Sequence, residues 1–397
     1  MGKQSTQFKF DFLTGFLRIQ ACARARKQIL SLLLASVFFV SQAVAQPLSQ
    51  APLETEEVVV EELIHHSLRI VLDPLSRQIT VEDTISLPAA MQANPLEFAL
   101  HSNLIISNNS GNLRTLSQAP DQSSGSSAIG INSTGGSVAP TNRYFLTPSA
   151  RNREQIVLVY SGEIYDLAEQ NSAEYAQSFS ETSGIISDQG VYLNKASMWI
   201  PDFGDDLLSF DMEVEFADTA RNWTAVSQGD RRGESGENAW QSDEPMEEVY
   251  LIAANFTVYS QQSDDIEVLA YLRQPDPNLA TKYMDATERY LALYEPLLGD
   301  YPFSKFALIE NFWETGYGMP SFTLLGEQVI RFPFILESSY PHEILHNWWG
   351  NGVYPDYNSG NWSEGLTAYL ADHLFQEMEG LGNEYRKEML ARYKNYV

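Results

Sequence analysis

The run His342-Glu343-Ile344-Leu345-His346 places two imidazoles four positions apart with a carboxylate beside the first. On a helix this spacing puts both rings on one face, about 6 Å apart along the axis, so both can reach one metal ion. Glu343 is then suitably placed to take a proton from water at that ion. Two surface histidines on an ordinary helix would give the same letters. Ile344, Leu345, Trp348 and Trp349 argue against that, because they require the remaining faces to be buried. A zinc site of catalytic type needs a third protein ligand and an open position. Glu364, in the stretch Asn361-Trp362-Ser363-Glu364-Gly365, offers a carboxylate from the first turn of a second helix. Asn361 with Glu364 three residues on also fits a capping box, and both roles can hold at once. Two imidazoles plus one carboxylate suit zinc best, one ion per site. A Gly-x-Ser-x-Gly nucleophile elbow is excluded, since Asn361 stands at the first glycine position before Ser363.

These residues need rods to carry them. Asp276-Pro277 is a helix start, with the acid as cap and proline at the first helical position. Met284, Tyr290, Leu291, Tyr294 and Leu298 recur at helical spacing, and Gly299 is the stop. Phe306–Ile309 and Ser321–Leu325 read as strands, and two or three further helices fill 338–397. The first of these begins near Ser338–Pro341, because Pro341 deep inside a helix would break its ladder. Leu366, Tyr369, Leu370, Leu374 and Met378 predict a buried stripe on the helix after Glu364. Met389, Leu390, Tyr393, Tyr396 and Val397 predict an amphipathic helix that runs off the end of the chain.

Upstream, from about 65 to 260, short alternating runs predict strands, among them Leu68–Leu72, Ile79–Val81, Thr84–Leu87, Ile156–Tyr160, Phe210–Phe216 and Val249–Ala253. Residues 107–142 are rich in Ser, Gly and Asn and read as a long mobile loop. Residues 46–64 are Pro- and Glu-rich and read as a solvated lead-in. Residues 1–45 have the form of a signal peptide: Arg24, Arg26 and Lys27, then the apolar run Ile29–Val40, then Ala43-Val44-Ala45. The apolar run is shorter than the ~20 residues a spanning helix needs, so no stable membrane span is expected after cleavage. The product is expected to be exported, periplasmic or secreted. Cys22 is the only cysteine and leaves with the leader, which excludes thiol catalysis in the remainder. With 25 Lys+Arg against 52 Asp+Glu and a net charge of −27, nucleic acid is not an expected partner.

The His-Glu-x-x-His run followed by a helix carrying Trp362-Ser363-Glu364-Gly365 resembles the gluzincin zinc metallopeptidases of the membrane alanyl aminopeptidase and leukotriene hydrolase family. Asn347-Trp348-Trp349-Gly350-Asn351 is similar to the aromatic-glycine-asparagine stretch that follows that family's second histidine. Gly316-Tyr317-Gly318-Met319-Pro320 falls where the family carries its glycine-x-methionine-glutamate-asparagine strand. Gly190–Leu193, Trp199-Ile200-Pro201 and Trp223–Ser227 are similar to its N-terminal β domain. The likeness runs over roughly 65–397. It implies a multidomain chain: an all-β domain over 65–262, then a thermolysin-like α/β catalytic domain over 263–397, C-terminally incomplete. It implies zinc held by His342, His346 and Glu364, with Glu343 as general base and Gly316, Gly318 and Met319 against a peptide substrate. Asp372 and His373 are candidates to brace a ligand from behind, against the plainer reading of a solvated helix face.

Three departures qualify that implication. Seventeen residues, 347–363, separate His346 from Glu364, one fewer than is usual in the family. Pro320 and Ser321 stand in place of the Glu-Asn whose acid holds a free amino group. Glu310, Glu314 and Glu327 are candidate substitutes, each also readable as a surface carboxylate. The tyrosine that steadies the family's oxyanion lies farther along than Val397, and neither Tyr393 nor Tyr396 takes that role. The expected activity is that of an aminopeptidase. A zinc endopeptidase or other amidase, and a non-catalytic zinc-containing peptide-binding protein, are the alternatives.

Overall fold

A computed structural model describes residues 62–394, except 93–94, 111, 119–137, 148–153, 171–179, 205–206, 234–237, 357–359 and 361. The expected signal segment and nearly all of the lead-in lie outside the described residues, as do Asn361, Tyr396 and Val397. Strands dominate what is described, with a few helices in the C-terminal third. No helix among the described residues is long and apolar enough to cross a membrane.

The largest sheet has seven strands, in the order Asp230–Arg231, Ala239–Met246, Leu208–Phe216, Ile64–Asp73, Gln78–Ser86, Gln155–Glu163, Ile105–Asn109. The expected runs Ile79–Val81 and Thr84–Leu87 are one strand, Gln78–Ser86, because the turn at Pro74 is followed by nine residues of continuous alternation. The loop expected over 107–142 needs correction. Ile105–Asn109 pairs with Gln155–Glu163, and Asn112–Gln118 pairs with Thr141–Thr147, so only 111 and 119–137 are left undescribed within that span. Serine and asparagine disfavour strand only weakly, and partners distant in sequence supply the ladder that the local composition does not advertise.

The site is carried by a five-stranded sheet ordered Thr257–Ser263, Ile266–Leu272, Lys305–Asn311, Phe322–Gly326, Gly316–Met319. The two neighbours Ile266–Leu272 and Lys305–Asn311 run parallel, and helix α1 (Pro277–Leu298) makes the crossover between them. As the sequence requires, Asp276 caps α1, its carboxylate accepting from Leu279 N–H at 3.0 Å, and Gly299 ends it. Alternate residues of the middle strands serve opposite cores. Leu269, Tyr271, Ala307, Ile309, Phe322 and Leu324 face a core shared with the upstream strands. Val268, Ala270, Phe306, Leu308 and Leu325 face a second core built with α1 and with helix α2 (Ser339–Leu345). Pro341 falls in the first turn of α2, where its missing N–H costs nothing.

The helix beyond Glu364 starts as α3 (Trp362–Ala368), passes through a π-helical turn at Tyr369–His373 and ends as α4 (Leu374–Met378). Its expected buried stripe is largely exposed: Leu366, Tyr369 and Met378 all face outward, whereas Leu370 and Leu374 pack partly on the second core. The wider π turn takes the residues from Tyr369 onward off a 3.6-residue period, and Leu366, ahead of it, lies on the outer face of α3. The last helix, α5 (Gly382–Tyr393), is present as expected, but Leu390 and Tyr393 are exposed and no apolar face of it is buried.

Candidate metal centre

Helix α2 brings His342 and His346 to one face, with ring centroids 5.0 Å apart. From α3, Glu364 reaches both: Oε2 lies 3.3 Å from His342 Nε2 and Oε1 lies 3.4 Å from His346 Nε2. One ligand atom from each of the three residues lies within 4.8 Å of the others. Both Nε2 atoms are buried and lack a hydrogen-bond partner. Donors 2.0–2.1 Å from a tetrahedral ion stand about 3.3 Å apart. The N···O separations match that spacing, so the donor set fits zinc in size and in chemistry.

The electrostatics of the three residues agree with this. Burial pushes His346 down to about 4, so its ring is neutral and its lone pair free at physiological pH. The carbonyl of Trp349 lies 3.3 Å from His346 Nδ1 and can only accept, which fixes the proton on Nδ1 and leaves Nε2 for a ligand. Burial works against charge on His342, but the Glu364 carboxylate and its acidic neighbours outweigh it and raise the imidazole. Burial also opposes charge on Glu364, and the two imidazoles overcome it and hold the carboxyl below its ordinary range.

Glu343 is 4% exposed, and its Oε2 has no hydrogen-bond partner. Burial raises it to about 8, with His342 pulling the other way and Glu364 adding to the rise. Directly over it runs the edge strand Gly316–Met319. A Cβ on Gly318 would sit 2.7 Å from Glu343 Oε2 and 3.3 Å from the His346 ring. Gly318→Ala is therefore expected to displace the Glu343 carboxylate and lower kcat about 100-fold, the cost of roughly 1 Å of misplacement. Zinc content and the thermal midpoint should stay near the parental values, which metal analysis and a melting curve will check. Gly316 lies farther out on the strand with only Leu325 near it, and Met319 is buried in the core shared with the upstream strands.

Two of the three carboxylates offered in place of the missing strand acid are otherwise engaged. Glu310 is not a surface group: it is 1% exposed, accepts from Arg331 Nη1 at 2.6 Å and from Arg273 N–H at 2.7 Å. Glu314 accepts from the backbone N–H of Gln328 and Val329. Glu327 is exposed, as a surface carboxylate would be. Asp372, on the π turn, lies close enough for His342 to stabilise its charge, although burial on balance raises its carboxyl. Tyr385 donates to it at 3.5 Å. His373 points elsewhere, stacked on Tyr369 and in contact with Arg386 and Glu377.

Sequence reasoning missed Asn347. Its Oδ1 accepts from Ser321 N–H at 2.7 Å, and its Nδ2 donates to the Ile344 carbonyl at 3.0 Å, tying the end of α2 to the strand hairpin. Its signals were its place directly after the second histidine and at the head of the stretch Asn347–Asn351.

No protein-family model and no curated relative matches the sequence, whereas many solved structures resemble the fold. An M1 zinc metallopeptidase from Deinococcus radiodurans aligns with a TM-score of 0.54 at 14% identity, over 83% of this chain and 74% of that one. An aminopeptidase N family protein from Idiomarina loihiensis gives 0.51 at 14% identity, over 79% of this chain and 55% of that one. Yeast LTA4 hydrolase in complex with bestatin gives 0.51 at 12% identity, over 85% of this chain and 53% of that one. The chain spans about half the length of the last two. It shares the fold of these three proteins.

Proposed function

We propose that the chain is a zinc metallopeptidase that removes N-terminal residues from peptides. The observation that carries this reading is the meeting of His342, His346 and Glu364 within 4.8 Å, with a buried and unpartnered Glu343 carboxylate oxygen beside them. His342, His346 and Glu364 would hold the ion, and zinc when bound supplies a positive charge that polarises the scissile carbonyl and eases ionisation of water. Glu343 takes the proton of the attacking water on Oε2. The same oxygen hands that proton to the departing amine nitrogen, so one carboxyl serves as base and then acid. The Gly318 backbone leaves room for a substrate strand where any side chain would collide with Glu343. Solved relatives in fold support peptides as substrate: a Deinococcus enzyme variant was bound to a Tyr-Ser-Ala substrate, and a two-domain M1 metallopeptidase variant to L-arginine. On this reading the upstream sheets form a β domain in front of a thermolysin-like catalytic domain, and the protein is exported.

A second reading, cleavage of internal or N-blocked peptides, is favoured by one observation. Pro320 offers no acid, and Glu310 and Glu314 already bind Arg331 and backbone amides. The discriminating assay compares a free-amine aminoacyl amide with its N-acetylated form on zinc-loaded protein. Faster turnover of the free amine is expected; faster turnover of the blocked compound would replace the first reading with the second.

A further inference from the structure

The Pro320-Ser321 turn joins the strands Gly316–Met319 and Phe322–Gly326 as a two-residue hairpin. Ser321 has φ +65°, a left-handed conformation usual for glycine or asparagine, which costs an ordinary residue about 1 kcal/mol or more. Its three polar groups are nonetheless all engaged. Oγ accepts from Lys305 Nζ at 2.5 Å, N–H donates to Asn347 Oδ1 at 2.7 Å, and the carbonyl accepts from Ala307 N–H at 3.1 Å. Lys305 is 2% exposed, and no carboxylate among the described residues lies within ion-pairing distance of it. Its Nζ sits instead 5.0 Å from the Trp240 ring and 5.8 Å from that of Phe322. Burial pulls the Lys305 amine down to about 7, against the more distant charges of Asp230 and Glu267. A buried amine with no carboxylate in contact is costly, so a hydroxyl in a strained turn is an unusual acceptor for it unless the turn itself matters.

The turn connects to the metal centre at two points, through Asn347 and through the strand that carries Gly318. Asn347 follows His346 directly; its Nδ2 also donates to the Ile344 carbonyl near the end of α2, and its Oδ1 accepts from Tyr301 OH. Gly318, three residues before Ser321, is the backbone that abuts Glu343 and His346. Resting on the metallopeptidase reading, we propose that Lys305 and Asn347 are positioning residues that clamp the Ser321 turn and so hold the Gly318 backbone at a fixed height over Glu343 and His346. The clamp fixes the two reacting walls of the site against each other and touches neither metal nor substrate.

The test uses the zinc-loaded full chain and Lys305→Met, which keeps the length of the side chain and removes the amine. The expected result is a fall in kcat of about 100-fold with KM within about twofold, and faster amide hydrogen exchange across 316–322. Adding Ser321→Gly, for which φ +65° is unstrained, should return kcat and exchange to within about threefold of the parent. If Lys305→Met fails to fold, Ser321→Ala, which removes the acceptor but keeps the strain, should show the same losses. Parental kcat and exchange in the clamp variants, or a loss that Ser321→Gly does not rescue, would overturn the clamp. An inactive parental chain that shows the exchange pattern and its rescue would sink the peptidase reading and leave the clamp standing.

Discussion

Glu343→Gln is expected to lower kcat about 10³- to 10⁴-fold while one zinc per chain is retained, the upper range for loss of a positioned general base. Gln has the shape of Glu, fits under Gly318, and cannot accept a proton. The carboxylate it replaces is buried, so no solvent base can approach to substitute. The pH profile gives a sharper reading than the rate alone. Burial raises the ion-free carboxyl to about 8, and a cation alongside favours its charged form. Activity needs the carboxylate, so kcat/KM should rise with pH along an acid limb placed below 8, and the Gln variant should lose that limb. Metal analysis with the profile separates this outcome from simple loss of zinc; an unchanged rate in Glu343→Gln would refute the proton-transfer role.

Glu364→Ala should act by another route, removing the metal itself. Loss of a group that merely supports a ligand typically costs 10- to 100-fold in metal affinity, so loss of a ligand should cost more than about 100-fold. Zinc content after dialysis against a chelator is expected to fall from one per chain to near none, with hydrolysis lost in step. The parental protein should also lose zinc as pH falls. His346 stays neutral down to about 4, and Glu364 is held below its ordinary range, so neither competes early with protons. His342 is raised, so its protonation is the first to oppose the ion. A chelator competition series run from neutral to acid pH should show affinity weakening first over the range of that imidazole. Tight binding in Glu364→Ala would remove the carboxylate from the ligand set.

The residues that carry chemistry were the most legible part of the sequence, because His342, Glu343 and His346 are joined by one helix and their geometry is local. The ends of α1 were legible for the same reason: Asp276, Pro277 and Gly299 each act on their own turn. The strands Ile105–Asn109 and Asn112–Gln118 were not, since their ladders are completed by residues far along the chain. Nor was the exposure of Tyr369 and Met378, because the π turn that shifts the helix period leaves no mark in apolar spacing. The Lys305–Ser321–Asn347 contacts were hidden for a further reason. A lysine inside a strand reads as a solvent-facing charge, and only the tertiary fold turns it inward onto a serine hydroxyl.

The middle strands of the five-stranded sheet act as a party wall between two oily interiors, with adjacent positions such as Phe306 and Ala307 facing different rooms. Neither half can be lifted out as a self-contained module. Cutting the chain ahead of Thr257 would strip the cover from Leu269, Tyr271, Ile309, Phe322 and Leu324 together, leaving a greasy lamina that seeks another partner. Engineering that swaps the upstream strands for another scaffold must therefore supply a matching surface for those five side chains before it can inherit the chemistry beyond them.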